Sequence, residues 1–479
     1  MSVRSSAAPL APRFRVPSIV PLALLPGLVL AGCAGTVAQR LEDGEVSVAL
    51  GERGRAPSFE LDPRVIAGLE ALALPRPTSE ECRNPREAGF WRAAALAWNP
   101  EVRATRFELE GALASAGAAG RPGPIGAMGE VMELSDPEAE TKVALTFDLL
   151  GILGLGPTAA AREEARAEAR RAKGRFEAAV WKAVHEADRA RMRLAASRDR
   201  IERLTHFLGE IQAEAPRFEV LERRGRLSEA EAAMIDAAPH EIEHALSEER
   251  GREAELTAAL AATCGLATGN AAFAAIDGTQ LHAELAEPPL APATIELLRV
   301  DPALRELTFE FAVAEAAVRS AAAQAWPRLG LGPQFLFQPS DVLVGGLLEV
   351  ELPWPGTVER EVRAKAAARD AARARVEDGL LAAEARVASL ATIARETRLR
   401  AEEHAPAIDE AAAANWHAVE ARLSRNASSV SEWLIATRGR LDALLALVDQ
   451  REAARIALID LAEACGIRAS AETTGEVRP

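Results

Sequence analysis

One pentapeptide carries the residue types of hydrolytic chemistry. His240-Glu241-Ile242-Glu243-His244 fits H-E-x-x-H, which on a helix sets two imidazoles one turn apart to bind zinc, with the Glu as general base. His240 and His244 are thus the metal candidates. A third ligand would be needed, and His282, Glu253 and Glu255 are available by sequence. The stretch around them is rich in Ala and Glu, where a pattern with two free positions also arises by chance. A zinc metalloprotease is kept as an alternative only. The cysteines are the second chemical group. Cys33 closes Leu30-Ala31-Gly32-Cys33, a bacterial lipobox pattern that would make it the acylated first residue of a mature chain. Cys82, Cys264 and Cys465 are too few for a disulfide framework. Cys264 in ATCGLA and Cys465 in EACGIR read as small buried hydrophobes near equivalent helix ends. No phosphate-cradling glycine loop or nucleophile elbow is found, no cofactor is implied, and the chain reads as a non-enzyme.

The bulk properties narrow the class. At 479 residues the chain exceeds a single core. A net charge of −15 argues against a nucleic-acid partner, which would want a basic face. Hydrophobic residues make up 49%, yet aromatics only 4% and Tyr is absent; much of the remainder is Ala, which favours long, closely packed helices. Residues 1–32, with Arg4, Arg13 and Arg15 ahead of an apolar stretch, read as a lipoprotein signal peptide. Residues 33–90 read as a lipid-anchored N-terminal strap, and 468–479 as a disordered tail.

The chain is written on one template used twice. Gly225, Ser228 and Glu231 recur as Asn426, Ser429 and Glu432, each 201 residues on (426 − 225 = 201). Ser-x-x-Glu is a capping box, and Gly or Asn before it can end the preceding helix in the left-handed region. NPEVRATRFEL from Asn99 pairs with DPALRELTFEF from Asp301, an N-cap followed by Pro at the first helical position. Repeat 1 therefore spans 91–268 and repeat 2 spans 294–467, with a linker over 269–293. Each repeat holds a helix, a Gly/Pro-rich hairpin (124–153 and 327–354), a long helix (157–224 and 356–425) and a closing helix (228–267 and 429–466).

The hairpins alternate apolar and polar residues, a strand signal. Val143, Leu145 and Phe147 alternate with Ala144, Thr146 and Asp148; Leu348, Val350 and Leu352 alternate with Glu349 and Glu351. Strands of about ten residues suit a tilted membrane crossing, with Asp148, Glu349 and Glu351 facing a wet lumen and aliphatics facing lipid. Trp326 and Trp354 flank the second hairpin, as in an interfacial belt. A hairpin packed on a soluble domain would show the same alternation. Gly129–Leu134 alternates poorly. A helix of some 65 residues would run about 100 Å and needs helical neighbours. Pro406 and Pro239 are expected to kink or break their helices. Four strands cannot close a barrel, and an open edge is not viable in lipid, so partner copies are needed.

These features together resemble the TolC family, and within it the lipoprotein outer-membrane efflux channels: the lipobox, the tandem halves, the Asn/Asp-Pro helix starts, the paired hairpins and the G/N-x-x-S-x-x-E turns. The resemblance covers about residues 90–467. It implies a mainly α fold with a small β-barrel portion: a homotrimer with a twelve-strand outer-membrane β-barrel continuous with a long periplasmic α-barrel. It also implies a passive exit duct for tripartite efflux or type I secretion, docked to a periplasmic adaptor protein and an inner-membrane transporter. By the same resemblance the docking tips are Gly225, Arg226, Leu227, Ser228 and Glu231, with Asn426, Ala427, Ser428, Ser429 and Glu432. Asn426 departs from the family's usual Gly. The expected location is the outer membrane, lipid-anchored and extending into the periplasm. A periplasmic lipoprotein adaptor or scaffold remains the non-channel alternative.

Overall fold

The computed structural model describes residues 61–72, 74, 76–119, 126–132, 140–148, 153, 155–289, 292–337, 342–352, 354–425 and 428–466. Within the first two strands it describes the backbone and, of the side chains, only Phe147. The proposed signal peptide, Cys33, the first part of the strap, Asn426, Ala427 and the tail lie outside the described residues.

Ten helices and four strands are described. They are α1 Pro63–Ala71, α2 Ala88–Trp98, α3 Pro100–Ala118, β1 Gly126–Met132, β2 Glu140–Asp148, α4 Pro157–Arg223, α5 Glu229–Cys264, α6 Thr294–Val300, α7 Pro302–Ala323, β3 Arg328–Phe337, β4 Val342–Glu351, α8 Pro355–Leu399, α9 Ala405–Ser424 and α10 Val430–Ala464. Short 3₁₀ turns occupy Glu81–Arg83, Ala271–Ala275 and Gly278–Leu281. The helix starts follow local chemistry. Asn99 Oδ1 accepts from the amides of Glu101 and Val102 at 2.8 and 3.2 Å. Asp301 Oδ1 accepts from Ala303 at 2.8 Å and Leu304 at 3.4 Å.

The prolines behave differently from the sequence expectation. Pro239 neither breaks nor ends α5, which runs unbroken from Glu229 to Cys264. Pro216 likewise lies inside the 67 residues of α4. One missing amide among many is tolerated when neighbouring turns and packing hold the helix. Pro406 does leave a mark: Arg400–His404 forms a π turn between α8 and α9, which takes up the lost amide and the ring's bulk.

By chain contacts the described residues form two units that cut across the sequence repeats. Described residues within 108–172 and 307–375 make one; those within 61–107, 173–306 and 376–466 make the other. The first unit contains a single antiparallel sheet in the order β1-β2-β3-β4, so the two hairpins are fused rather than separate. The register keeps Leu329 opposite Val350, Leu331 opposite Leu348, Phe335 opposite Val344 and Phe337 opposite Val342. It also sets Val143 opposite Phe335 and Phe147 opposite Leu331. Directly opposite residues share a face, so one face is an apolar row. The ladder between β2 and β3 lapses between the pairs Ala144–Gln334 and Phe147–Leu331, level with Pro333, which has no amide hydrogen to donate. β1 runs from Gly126 to Met132, through residues whose own alternation is weak.

The second unit is helical. One cluster of its buried side chains comprises Leu204, Phe207, Ile211, Phe218, Ile242, Leu246, Val419, Leu423, Val430, Trp433 and Ala436, drawn from α4, α5, α9 and α10. Buried charge is paired: Arg200 contacts Glu249, Asp449 and Glu452, Arg305 meets Glu177 at 2.7 Å, and Arg92 takes Asp188 through Nε and Nη2. His185 is buried, with Nδ1 2.9 Å from the Trp181 carbonyl. Burial pulls its pKa below the ordinary 6.5, so the ring folds neutral. The unfolded chain then binds the extra proton first, and stability falls as pH drops below about 6.5. The acid-induced fall in melting temperature between pH 7 and 5.5 should be smaller in His185→Gln than in the parent.

Candidate functional site

Two kinds of feature stand out for function, the capped turns of the helical unit and the exposed sheet. The first turn joins α4 to α5. Gly225 holds φ at 64°, and the Arg226 amide reaches back to the Leu221 carbonyl at 2.9 Å, the six-to-one bond of a Schellman ending. Ser228 Oγ accepts from the Glu231 amide at 3.2 Å while Glu231 Oε2 accepts from the Ser228 amide at 3.0 Å. This is a complete capping box. These bonds, with the Ser228 hydroxyl donating at 2.8 Å, hold the Glu231 carboxyl below its ordinary range. A lowered carboxyl pKa contributes stability above the unfolded value and loses it as pH falls through the folded one, so the turn loosens in acid. Ser228→Ala should lower stability by about 1 kcal/mol, read as a shift in the urea midpoint at unchanged slope.

The second turn joins α9 to α10 with a variation. Ser429 Oγ accepts from the Glu432 amide at 3.2 Å, but it is the Ser428 hydroxyl that donates to the Glu432 carboxylate. The two turns lie side by side: Ser431 Oγ donates to Glu231 Oε1 at 3.5 Å. Leu227 packs partly buried on the cluster that holds Phe218 and Trp433, whose rings sit 5.0 Å apart. Gly225, Arg226, Ser228, Ser429 and Glu432 are exposed, whereas Leu227, Glu231 and Ser428 are half-buried. Pairs that sequence reasoning missed brace the hairpins just behind: Arg438 to Glu241 at 3.3 Å, Arg440 to Glu210 at 3.2 Å, and the Trp416 indole to Thr437 at 3.1 Å.

At the other end of each closing helix the repeated Cys-Gly acquires a role. Gly265 has φ at 62°, and a Cβ there would lie 2.3 Å from the Trp98 carbonyl oxygen. Gly466 has φ at 65°, and its Cβ would lie 2.7 Å from Val300 Cβ. Both glycines let α5 and α10 close on the residue just before the Asn99 or Asp301 cap, and the Asn99 amide donates to the Thr263 carbonyl at 2.8 Å. Their 201-residue spacing was the available signal. Cys82, Cys264 and Cys465 are free thiols and buried; burial raises the Cys264 thiol further above its ordinary range.

On the sheet, large apolar side chains stand in solvent: Val344 is 63% exposed, Leu348 65% and Leu352 72%, with the flanking Trp326 and Trp354 at 53% and 68%. Glu349 and Glu351 occupy the other face of β4, where Arg328 sits opposite Glu351 at 3.9 Å. The register places position 148 of β2 opposite Gly330, on that same face.

The metal motif resolves into separate parts. His240 and His244 are exposed on α5, but Glu253 pairs with Arg198 at 2.7 Å and His282 with Asp199 at 3.1 Å. Among the described residues no group of three or more His, Cys, Asp or Glu is arranged to hold a metal ion. No described helix is long and apolar enough to cross a membrane.

A single antiparallel sheet with one apolar face, set in a chain of long capped helical hairpins, defines a recognisable fold. The chain shares it with solved bacterial membrane proteins. A membrane protein from Pseudomonas aeruginosa superposes at a TM-score of 0.69 with 19% identity, covering 79% of this chain and 92% of that one. The outer membrane protein VceC from Vibrio cholerae does so at 0.65 with 18% identity over 79% and 96%. The MtrE outer membrane channel of Neisseria gonorrhoeae, in its open state, gives 0.68 with 16% identity over 80% and 89%. No family model matches the sequence. No curated protein matches it either. The chain therefore has the outer-membrane channel fold, as the TolC-family resemblance anticipated for its helices and sheet.

Proposed function

We propose that the chain is one protomer of a passive exit duct in a bacterial outer membrane, serving an efflux or secretion system. The observation that carries this is the sheet: an apolar row exposed to solvent on one face, acidic residues on the other, and two outer strands, β1 and β4, each paired on one side only. Exposed apolar rows of this kind mark a surface meant for lipid or a partner, and unpaired strand edges in lipid must be closed. Three copies, pairing β4 of one with β1 of the next, would supply twelve strands. Asp148, Glu349 and Glu351 would then face the water-filled lumen. The solved outer-membrane channels of like fold support this reading, and the lipobox at Cys33 adds a lipid anchor to it.

The capped turns are the proposed docking points for a periplasmic adaptor, which would link the duct to an inner-membrane transporter. Gly225, Arg226, Leu227, Ser228 and Glu231 form one; Asn426, Ala427, Ser428, Ser429 and Glu432 form the other. Replacing both Ser228 and Ser429 by a bulky acidic residue should abolish efflux while the oligomer stays intact. Normal export in that double variant would remove the docking role. The duct itself is tested by reconstituting the purified full chain in planar bilayers: stable ion conductance is expected. An absence of conductance, with Cys33→Ala protein recovered as a soluble monomer, would favour the scaffold instead.

A further inference from the structure

Of the seven histidines in the chain, only His240 and His244 lie within one helical turn of each other. Both sit on the unbroken part of α5 that follows Pro239, and their side chains are 80% and 74% exposed. Residues four apart on a helix are surface neighbours, with Cβ atoms about 5–6 Å apart. Each ring has a carboxylate beside its Nδ1: Glu243 Oε2 lies 3.1 Å from His240 Nδ1, and Glu248 Oε2 lies 3.7 Å from His244 Nδ1. A carboxylate hydrogen-bonded to Nδ1, as Glu243 is at His240, leaves the Nε2 lone pair as the metal donor; Glu248 lies near the His244 ring but beyond hydrogen-bond distance.

The same geometry separates this pair from a protease site. Glu241, the residue that would serve as general base, is committed to Arg438 of α10 at 3.3 Å. Ile242 is buried in the helical core. His282 and Glu253 are occupied elsewhere. What remains is two imidazoles on an open face, one of them held by Glu243, with Glu241 paired to Arg438.

We propose that His240 and His244 form a two-imidazole surface chelate for a divalent first-row transition ion, with water completing the coordination. Neutral nitrogen donors rank such ions with Cu²⁺ above Zn²⁺ and Ni²⁺, so Cu²⁺ is the preferred occupant. The chelate would span the turn just beyond Pro239.

Equilibrium dialysis of the full chain, carrying no histidine tag, against Cu²⁺ and Zn²⁺ at pH 7.5 tests this. About one Cu²⁺ per chain is expected, bound more tightly than Zn²⁺. Affinity should fall by about tenfold or more in His240→Ala and in His244→Ala, since each removes one of two donors. Glu241→Gln should bind as the parent does. The proposal is overturned if the parent binds no metal, or if the double variant His240→Ala/His244→Ala binds as well as the parent. Casein hydrolysis lost in Glu241→Gln would replace it with a protease. All substituted side chains are exposed, and circular dichroism confirms that the variants fold.

Discussion

Gly265→Ala should destabilise the helical unit by about 2–4 kcal/mol, the largest effect expected from adding one methyl group anywhere among the glycines described. Two costs combine. The left-handed φ of 62° is natural for Gly and costs Ala about 1 kcal/mol. The added Cβ also meets the Trp98 carbonyl oxygen at 2.3 Å, and backbone cannot swing aside as a side-chain tip can; overpacking of this kind costs about 1–3 kcal/mol. The damage spreads because Trp98 precedes the Asn99 cap, whose amide also holds the Thr263 carbonyl. Gly225→Ala is the control. It has the same φ but nothing within 4 Å of the added atom, so only the first cost, about 1 kcal/mol, applies. Urea unfolding followed by circular dichroism separates the two. Equal midpoints for both variants would mean that the close approach to Trp98 is not maintained in solution.

Leu348→Arg should abolish assembly in the membrane. Leu348 faces out of the sheet at 65% exposure and stands opposite Leu331 in the apolar row. A cation placed on the lipid face of a barrel costs about 2–4 kcal/mol near the bilayer midplane, and a threefold assembly would incur it three times. Glu349→Lys is the matched control, one residue away on the opposite face. It should leave assembly intact and shift ion preference in a planar bilayer away from cations. Detergent-extractable oligomer recovered at parental yield from Leu348→Arg would show that this row does not contact lipid.

Much of the architecture can be read from particular residues, and the reasons differ by element. Asn99-Pro100 and Asp301-Pro302 start helices because the cap and the fixed φ of proline act within three residues. Ser228 and Glu231 declare their turn for the same reason: every bond involved is local. What is not legible depends on partners far away in the chain. The fusion of two hairpins into one sheet rests on the pairing of Val143 with Phe335 and Phe147 with Leu331, which no local pattern announces. The extent of β1 is set by its neighbour β2 rather than by its own weak alternation. Pro239 looked locally like a break but lies inside α5, as Pro216 lies inside α4, because long helices with packed neighbours absorb a single lost bond. The braces Arg438–Glu241 and Arg440–Glu210 join residues 197 and 230 positions apart. The histidine pair was visible at once, yet its separation from a catalytic base depended on Arg438, which sequence spacing could not place.

The central claim is that a four-stranded sheet with an exposed apolar row is one part of a closed ring. Its most direct test is the mass of the purified full chain in detergent, by light scattering or native mass spectrometry. Three chains per detergent-bound particle are expected. A single chain, monodisperse in water without detergent, would contradict the claim and leave the apolar row of β3 and β4 without the membrane it requires.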